Sequence, residues 1–461
     1  EQKHFALPSP FKLHSVYSVA TVVYSVATVR RAVFCCFAFA SFTDLSLMRL
    51  STWLYDHMAV DLMRSRAVED WKWHSGLGLS HQLFDLLVMM GLGVMNVGIL
   101  CVVWIMISLQ VLGAVAGCKV PPAIFVFGDG TLDVGNNNYL NYSVDLGSPD
   151  QANHSYYGID FPNSEPTGRF SNGYNIADFI AMAMGLQISP PAYLSLAGTI
   201  NMDGFTGVNY ASESAKILSI ADEFDASADN TIPLLMQLDD FTATRAQMEV
   251  KLGSRELKKL LSKSLFLIGI GSWDLFYAWR LQTMGIKYNQ ADVPYLARSL
   301  GASIKALYDA GARKFGVINV PPIGCSPAGR WPWRVRGHVI VVRGRCDGSK
   351  NELAVEFNNG VRRLMANLSS ELDGLRYSIG DFYGFANATF ANPSAAGFVD
   401  ITSECCAYPC DSPPCQNRTQ YWFWDVSNPT EQAAKLAAAA FYDGPAQFTV
   451  PISFKKLVQR K

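Results

Sequence analysis

Hydrophobic residues follow two patterns that alternate along the chain after residue 120. Continuous apolar runs of strand length lie at 123–127 (AIFVF), 265–270 (LFLIGI) and 315–320 (FGVINV), and 375–379 is a further candidate strand. Such runs are typical of strands that are buried on both faces. Between them, apolar residues recur at helical spacing, which predicts amphipathic helices. The predicted helical stripes are Ile176, Phe179, Ile180, Ala183 and Met184; Leu296, Leu300, Ile304 and Leu307; and Leu353, Phe357, Val361, Leu364 and Leu368.

The ends of these helices carry start and stop signals. Gly185 follows the first stripe and is placed to end it, while Thr430 is placed to cap a last helix that runs to Tyr442 before Gly444. Strands separated by helices need crossover connections, which predict a mostly parallel sheet with helices on both faces. The expected fold is therefore a three-layer α/β sandwich, with its functional groups in the loops beyond the carboxyl ends of the strands.

A long uncharged segment precedes this region. Residues 86–117 contain no charged side chain and include 97–109 (VGILCVVWIMISL), which is apolar enough to enter a membrane. The small residues at 113–118 (GAVAGC) favour a signal peptide over 95–118, because signal peptidase requires small side chains before the cut. A retained signal anchor stays open, because no Lys or Arg lies near Met95. Membrane attachment is expected only in that case.

The segment before the uncharged stretch contains no recognisable domain. The chain starts at Glu1 and repeats the sequence YSVATV at 17–22 and 24–29. A spurious upstream extension and a disordered or loosely helical extension are the two interpretations, and both predict no function there. The expected organisation is an unassigned extension at 1–94, a signal peptide or anchor at 95–118, a single domain at 119–447 and a C-terminal tail at 448–461.

Composition and charge narrow the functional classes. The chain has 461 residues, of which 49% are hydrophobic, enough for a sizeable core. Its 38 Lys and Arg balance 39 Asp and Glu, so no global field attracts nucleic acid, and no nucleic-acid partner is expected. A local exception at 330–345 interleaves Arg with Trp331, Trp333 and His338. We interpret it as an exposed hairpin insertion with a short strand at 339–342 and turns at Gly337 and Gly344, rather than a base-stacking surface.

Cysteines and glycosylation sequons indicate the secretory pathway. Six cysteines remain once Cys35, Cys36, Cys101 and the processing-site Cys118 are set aside: Cys325, Cys346, Cys405, Cys406, Cys410 and Cys415. With a secretion signal this even set predicts disulfides of open connectivity, and its spacing does not match a zinc ribbon, so neither a metal nor a cofactor is expected. An extracellular location also agrees with five acceptor sequons, at Asn141, Asn153, Asn367, Asn387 and Asn417.

Several long motifs, in order, resemble the plant-type GDSL esterase/lipase family within the SGNH hydrolases. The motifs are 123–139 (AIFVFGDGTLDVGNNNY), 168–178 (GRFSNGYNIAD), 207–212 (GVNYAS), 266–274 (FLIGIGSWD), 320–325 (VPPIGC) and 423–431 (FWDVSNPTE). The resemblance spans nearly the whole region after the signal. It implies an SGNH hydrolase-like, flavodoxin-like sandwich and hydrolysis of carboxylic esters. In that family a serine attacks the ester, a histidine removes its proton, an aspartate orients the histidine, and glycine and asparagine donors stabilise the oxyanion.

Carried over by position, the resemblance places the nucleophile at Gly130, the donor glycine at Gly173, the donor asparagine at Trp273, the orienting acid at Asp425 and the base at Asn428. Only Gly173 and Asp425 keep the family residue. Glycine has no oxygen, and a carboxamide does not titrate near neutral pH. In a well-studied serine protease, loss of the nucleophile or base alone lowers turnover about a million-fold. We therefore predict that ester hydrolysis is absent or strongly impaired.

Neighbouring side chains offer no evident replacement for the lost groups. Thr131 is adjacent to the nucleophile position, but a threonine still needs a base, and a shift of one residue points its side chain elsewhere. Asp129 and Asp133 are expected to form hydrogen bonds within the loop. His154 and His338, the only histidines after the signal, are expected to be exposed loop residues.

Three functional hypotheses follow from these residues. The chain is a non-catalytic secreted binding or scaffold protein, an ester hydrolase that uses a non-standard site, or the product of a decayed gene. The implied ligand is an acyl ester or a lipid or cell-wall component, and the oligomeric state stays open.

Overall fold

The structure is a computed structural model that describes residues 123–141, 150–218, 231–285, 292–330, 333–335, 338–340 and 345–460. The predicted extension, the signal segment and the turn residues Gly337 and Gly344 lie outside these ranges. In the part of the chain that is described, no helix combines the length and apolar character needed to cross a bilayer.

The secondary structure alternates between strands and helices, as the sequence predicted. In chain order, the described strands are β1 (Ile124–Gly128), β2 (Gly207–Asn209), β3 (Leu265–Gly269), β4 (Lys314–Ile318), β5 (Trp333–Val335), β6 (His338–Ile340), β7 (Arg376–Gly380), β8 (Asp400–Glu404), β9 (Tyr421–Phe423) and β10 (Thr449–Val450). The described α-helices are α1 (Ile176–Ala183), α2 (Leu234–Leu252), α3 (Ser254–Lys263), α4 (Ser272–Met284), α5 (Val293–Asp309), α6 (Pro327–Arg330), α7 (Gly348–Glu371), α8 (Phe382–Ala391), α9 (Glu431–Asp443) and α10 (Phe454–Gln459).

The central sheet has six strands in the order β10-β7-β4-β3-β1-β2. Five of these strands are parallel, and β10 pairs with β7 in the antiparallel direction. If the five parallel strands alone are numbered 1 to 5 in chain order, their order in the sheet is 2-1-3-4-5, as in flavodoxin-like folds. The chain reverses its direction of winding between β1 and β3, so a crevice is expected at the carboxyl ends of these two strands.

Alternate residues of each strand face opposite helical layers. Phe125 and Phe266 join a core with α2, α3, α5 and α7, whereas Ile124, Val126 and Leu265 join a second core with α1, α8, α9 and α10. All of these strand side chains are fully buried. The predicted three-layer α/β sandwich with a mostly parallel sheet is therefore confirmed.

Local signals position the helices that flank the site. Asn175 caps α1, because its side-chain oxygen accepts a hydrogen bond from the N–H of Asp178, and the Asp178 carboxylate accepts one from the backbone N–H of Asn175. Thr430 caps α9, as predicted, by accepting from the N–H of Ala433. By contrast, the sequence did not predict α2, because Gln237 and Thr244 interrupt its buried stripe.

The six cysteines form three disulfides, which confirms the predicted disulfide framework. Cys325 pairs with Cys346, Cys405 with Cys415, and Cys406 with Cys410. The first pair closes the base of the Arg-rich insertion. Inside this insertion β5 and β6 form an antiparallel hairpin, which agrees with the expected hairpin and its short strand.

The segment expected to be a C-terminal tail contributes to the domain. Its residues form β10 at the edge of the sheet and α10, whose Phe454 and Leu457 are fully buried. Lys314 Nζ also donates hydrogen bonds to the carbonyl oxygens of Val458 (2.8 Å) and Arg460 (2.6 Å). These contacts fix the end of the chain against β4.

Truncating Phe454 tests whether this segment is part of the core. We expect Phe454→Ala to lower the free energy of unfolding by about 3–5 kcal/mol, the usual cost of deleting a buried ring. Lys456→Ala, on the exposed face of the same helix, should change it little. Denaturant unfolding measures both, and equal stability of the two variants would show that α10 does not pack on the sheet.

Candidate active site

Three loops meet at the crevice between β1 and β3. The first follows β1 and contains Gly130, and the second follows β3 and leads through Trp273 into α4. The third follows β2 and contains Glu213. Asn428, just before α9, completes the group. Side chains or Cα atoms of these four residues line a common cavity.

The side-chain space at Gly130 is already filled. A Cβ atom placed on Gly130 would overlap Oε2 of Glu213, and would lie 2.5 Å from its Cδ and 3.1 Å from Oδ1 of Asn428. Real Cβ atoms essentially never come within 3.0 Å of another heavy atom, so the end of the Glu213 side chain would have to shift to admit one. The Glu213 carboxyl therefore lies where a side chain at the predicted nucleophile position would begin.

Both oxygens of this carboxyl accept hydrogen bonds from the other altered positions. Trp273 Nε1 donates to Oε1 (3.2 Å) and Asn428 Nδ2 donates to Oε2 (3.3 Å). The backbone N–H of Glu213 donates to Asp133 Oδ2 and to Asn137 Oδ1, each at 3.1 Å. The three predicted site positions that depart from the family thus contact one buried carboxyl.

Asp425, the predicted orienting acid, holds Asn428 in place. Its Oδ1 accepts from the backbone N–H groups of Asn428 (2.7 Å) and Ser427 (2.9 Å), and Oδ2 accepts from the Tyr157 hydroxyl (3.1 Å). The Asn428 side-chain amide also donates to both carboxylate oxygens, at 3.3 and 3.2 Å. Asp425 therefore positions residue 428 by hydrogen bonds, as an orienting acid positions a base.

Gly173, the predicted oxyanion donor, has other contacts. Its N–H donates to Ser171 Oγ at 3.2 Å, and a Cβ placed on it would lie 2.5 Å from the Glu431 carboxylate. It does not line either of the two cavities described below. The structure brings Gly130, Trp273, Asp425 and Asn428 together around Glu213, and Gly173 is outside this group.

The neighbouring side chains considered as replacements have structural partners. Thr131 Oγ1 donates to Asp129 Oδ1 (2.7 Å), which also accepts from the Thr131 N–H. Asp133 Oδ1 accepts from the N–H groups of Gly135 and Asn136. These are the loop hydrogen bonds that the sequence predicted. His154 is exposed and packs edge-on against Tyr157, with ring centroids 5.1 Å apart.

Two cavities meet at Glu213. The slot is narrow, with a cavity volume of about 50 Å³, and its apolar lining consists of Phe276, Pro321, Pro322, Ile323, Phe382, Ala386, Phe390, Trp422, Phe423 and Pro429. The cleft has a cavity volume of about 680 Å³, and its lining includes Asp150, Asn153, His154, Tyr157, Lys216, Tyr277, Arg280 and Tyr408. Glu213, Trp273, Phe276, Ser427 and Asn428 line both.

Burial raises the pKa of the carboxyls at this crevice. Burial, with smaller contributions from Asp425, Asp150 and Asp129, raises the pKa of Glu213 well above its ordinary value. Burial also raises the pKa of Asp129 and of Asp425 to about 6. Among the described residues, none forms an ion pair with Glu213. The site therefore presents a carboxyl that is hydrogen-bonded by neutral donors.

The described residues hold no cluster of His, Cys, Asp and Glu that could bind a metal ion. The arrangement offers a carboxyl, a carboxamide and an indole N–H. Because a carboxamide does not titrate near neutral pH, Asn428 cannot act as a base. The available chemistry is hydrogen bonding and the protonation of Glu213.

Glu213 is the site residue that sequence reasoning missed. The available signal was a charged side chain directly after the motif 207–212 (GVNYAS). Because the carboxyl ends of adjacent parallel strands lie at the same edge, a residue after β2 can reach the loop after β1. The sequence alone did not predict β2 as a strand.

The sheet order and the crevice loops define an α/β protein with the architecture of an SGNH-type hydrolase. The family model for GDSL-like lipases and acylhydrolases matches residues 124–441. The chain therefore belongs to the GDSL esterase/lipase family, which confirms the resemblance seen in its motifs.

Relatives from Arabidopsis thaliana support this assignment. The chain is 35% identical to GDSL esterase/lipase At5g55050, over 73% of this chain and 90% of that protein. It is 32% identical to GDSL esterase/lipase At1g74460, over 70% and 86% respectively. An extracellular lipase from Streptomyces rimosus covers 69% of this chain and 98% of its own at 14% identity, but its TM-score of 0.26 is too low to support an argument about fold.

The buried carboxyls predict a dependence of stability on pH. An acid whose pKa is higher in the folded than in the unfolded state gives most stability at low pH, and this stability is lost as the pH rises through the folded pKa. The unfolded pKa of Asp is about 3.9, whereas Asp129, Asp133 and Asp425 have a pKa of about 6 in the fold. We expect the melting temperature to fall by on the order of 5 °C from pH 5 to pH 7.5.

Replacing Glu213 isolates its share of this effect. Glu213→Gln keeps one of the two acceptor oxygens that Trp273 and Asn428 use, and it cannot ionise in the unfolded chain. Relative to the unaltered protein, its melting temperature should therefore be higher at pH 7.5 than at pH 4. Glu356→Gln, at an exposed position of α7, is the matched control. Differential scanning calorimetry at both pH values measures the difference, and the same shift at both pH values would contradict a buried, protonated Glu213.

Proposed function

We propose that this GDSL family member has lost ester hydrolysis, wholly or nearly so, and acts as a non-catalytic secreted binding protein whose ligand enters the slot. The observation that carries this proposal is the overlap between the Glu213 carboxyl and any side chain at position 130. The family reaction needs an oxygen at that position. Here the position has no side chain, and the space for one is filled.

The other groups needed for the reaction are also engaged elsewhere. The N–H of Trp273 donates to Glu213, and Asn428 supplies an amide in place of a titrating base. Loss of a nucleophile or base alone costs about a million-fold in turnover in a serine protease, and loss of an oxyanion donor costs roughly 3 kcal/mol more. These losses together leave no route through the family mechanism.

A second candidate function is ester hydrolysis through a non-standard site. Ser427 supports it, because its buried hydroxyl has no hydrogen-bond partner in the described structure and lines both cavities. A serine hydroxyl still requires a base to become a nucleophile. Glu213 and Asp425 at this crevice are buried carboxyls, and Asp425 already accepts hydrogen bonds from four donors. Binding is therefore the better-supported function.

Secretion is supported by two features of the domain. Its six cysteines are paired in three disulfides, which persist in oxidising compartments. The acceptor asparagines of all five sequons are exposed, as glycosylation requires: Asn141, Asn153, Asn367, Asn387 and Asn417. Detection of the glycosylated polypeptide outside the cell would separate a functional binding protein from the product of a decayed gene.

Restoring the family residues tests the loss of catalysis. We expect the purified protein to show no saturable turnover of p-nitrophenyl acetate or butyrate. The triple variant Gly130→Ser, Trp273→Asn, Asn428→His should remain poor, because Glu213 competes for the space of the new serine side chain. Adding Glu213→Gly should raise kcat/KM at least about tenfold over the triple variant, since one removed steric conflict of about 1.4 kcal/mol has that effect.

Two controls make the outcome decisive. Exposed Glu356→Gln added to the triple variant should leave its rate unchanged. Saturable turnover by the unaltered protein that is abolished by Ser427→Ala but kept by Thr131→Ala would overturn the proposal and establish the second candidate. A covalent phosphonate adduct on Ser427 would lead to the same conclusion.

A further inference from the structure

The slot combines an apolar lining with two acidic residues. Aromatic rings dominate the lining, including Phe276, Phe390 and Trp422, and Asp129 and Glu213 contribute carboxyl groups. No Lys, Arg or His of the described chain lines the slot. The cleft, which shares Glu213, differs because His154, Lys216 and Arg280 also contribute to its lining. On the slot side, Glu213 therefore faces no basic residue of the described chain.

Among the described residues, Glu213 has no cationic partner of the kind that a buried carboxylate ordinarily requires. Its oxygens accept hydrogen bonds from the neutral donors Trp273 Nε1 and Asn428 Nδ2, at 3.2 and 3.3 Å, and from the Ser214 hydroxyl, at 3.4 Å. A carboxylate removed from water is stabilised most by a cation in direct contact. A positively charged ligand group in the slot would supply that contact.

A second polar group that lines the slot also lacks a hydrogen-bond partner among the described residues. The Ser427 hydroxyl is buried, lines the slot and has no hydrogen-bond partner in the described structure. An unpaired buried hydroxyl costs free energy that a ligand donor would recover. Glu213 and Ser427 together offer two acceptor groups for the N–H bonds of one ligand group, and the indole ring of Trp273 lies beside them.

We propose that the slot binds a primary alkylammonium ion, with the alkyl chain packed among the aromatic rings and the charged nitrogen donating to the Ser427 hydroxyl and to Glu213, whose carboxyl gives up its proton to the solvent on binding. The inference rests on the proposed function, because it requires Glu213 to remain in place of a nucleophile. A carboxylate ligand would supply no cation to pair with Glu213, and an alcohol of equal chain length would gain only the apolar contacts.

Three ligands of one chain length test the proposal by isothermal titration calorimetry at pH 7.5: n-octylamine, 1-octanol and octanoate. We expect octylamine to bind at least about tenfold more tightly than octanol, the effect of one buried charge contact, and octanoate to bind most weakly. Glu213→Gln should reduce octylamine affinity to the level of octanol without changing octanol affinity. Equal affinities of the three ligands, or an amine preference that survives Glu213→Gln, would overturn the proposal.

A second pair of variants keeps the test independent of Glu213. Ser427→Ala should weaken octylamine but not octanol, whereas Phe390→Ala should weaken both, because the ring contacts only the chain. Glu356→Gln should change neither. An unchanged octylamine affinity in Ser427→Ala and Phe390→Ala would place the amine outside the slot and overturn the proposal.

The ligands contain no ester bond, so their binding does not depend on catalysis. Absent amine binding in a protein that also lacks esterase turnover overturns the ligand assignment and leaves the proposed function intact. Esterase turnover by the unaltered protein instead overturns the proposed function, whichever ligand binds best.

Discussion

The site depends on one steric constraint: the Glu213 carboxyl and a side chain at position 130 cannot occupy the same space. Only glycine at 130 leaves room for the carboxyl in its observed position, where it accepts hydrogen bonds from Trp273 and Asn428. A serine there requires the end of the Glu213 side chain to shift away from that position. The identities of residues 130, 213, 273 and 428 are thus physically linked, although they lie far apart in sequence.

The scaffold around this constraint is intact. Asp133 and Asn137, from the loop after β1, hold the backbone of Glu213, and Asp425 fixes Asn428 through its backbone and its side chain. Each of these bonds is buried, where an unpaired polar group would cost about 1–3 kcal/mol. The retained polar loop residues therefore stabilise the fold even without catalysis. This accounts for the aspartate at 425, although its neighbour Asn428 is an amide and cannot act as the base that Asp425 would orient.

Much of the fold could be predicted from the sequence, because apolar runs and helical stripes report burial directly. The runs at 123–127, 265–270 and 315–320 became β1, β3 and β4, and the need for crossovers predicted their parallel pairing. Sequence patterns did not predict the elements whose buried residues are polar or too few to form an apolar run. The stripe of α2 contains polar residues that hydrogen-bond inside the core, as Gln237 does to Gly128, and β10 has only two residues.

The candidate site, like the fold, could be predicted from the sequence only in part. The motifs named Gly130, Trp273, Asp425 and Asn428, and the structure brings these residues together around Glu213, because each lies near the end of a strand or the start of a helix. They could not reveal Glu213, since its role arises from side chains that meet across three loops, and they gave no warning that Gly173 contacts Ser171 instead. The loss of a nucleophile is visible in a sequence as a single substituted residue. The group that fills its space is visible only in three dimensions, and it is that group whose charge decides what the slot can bind.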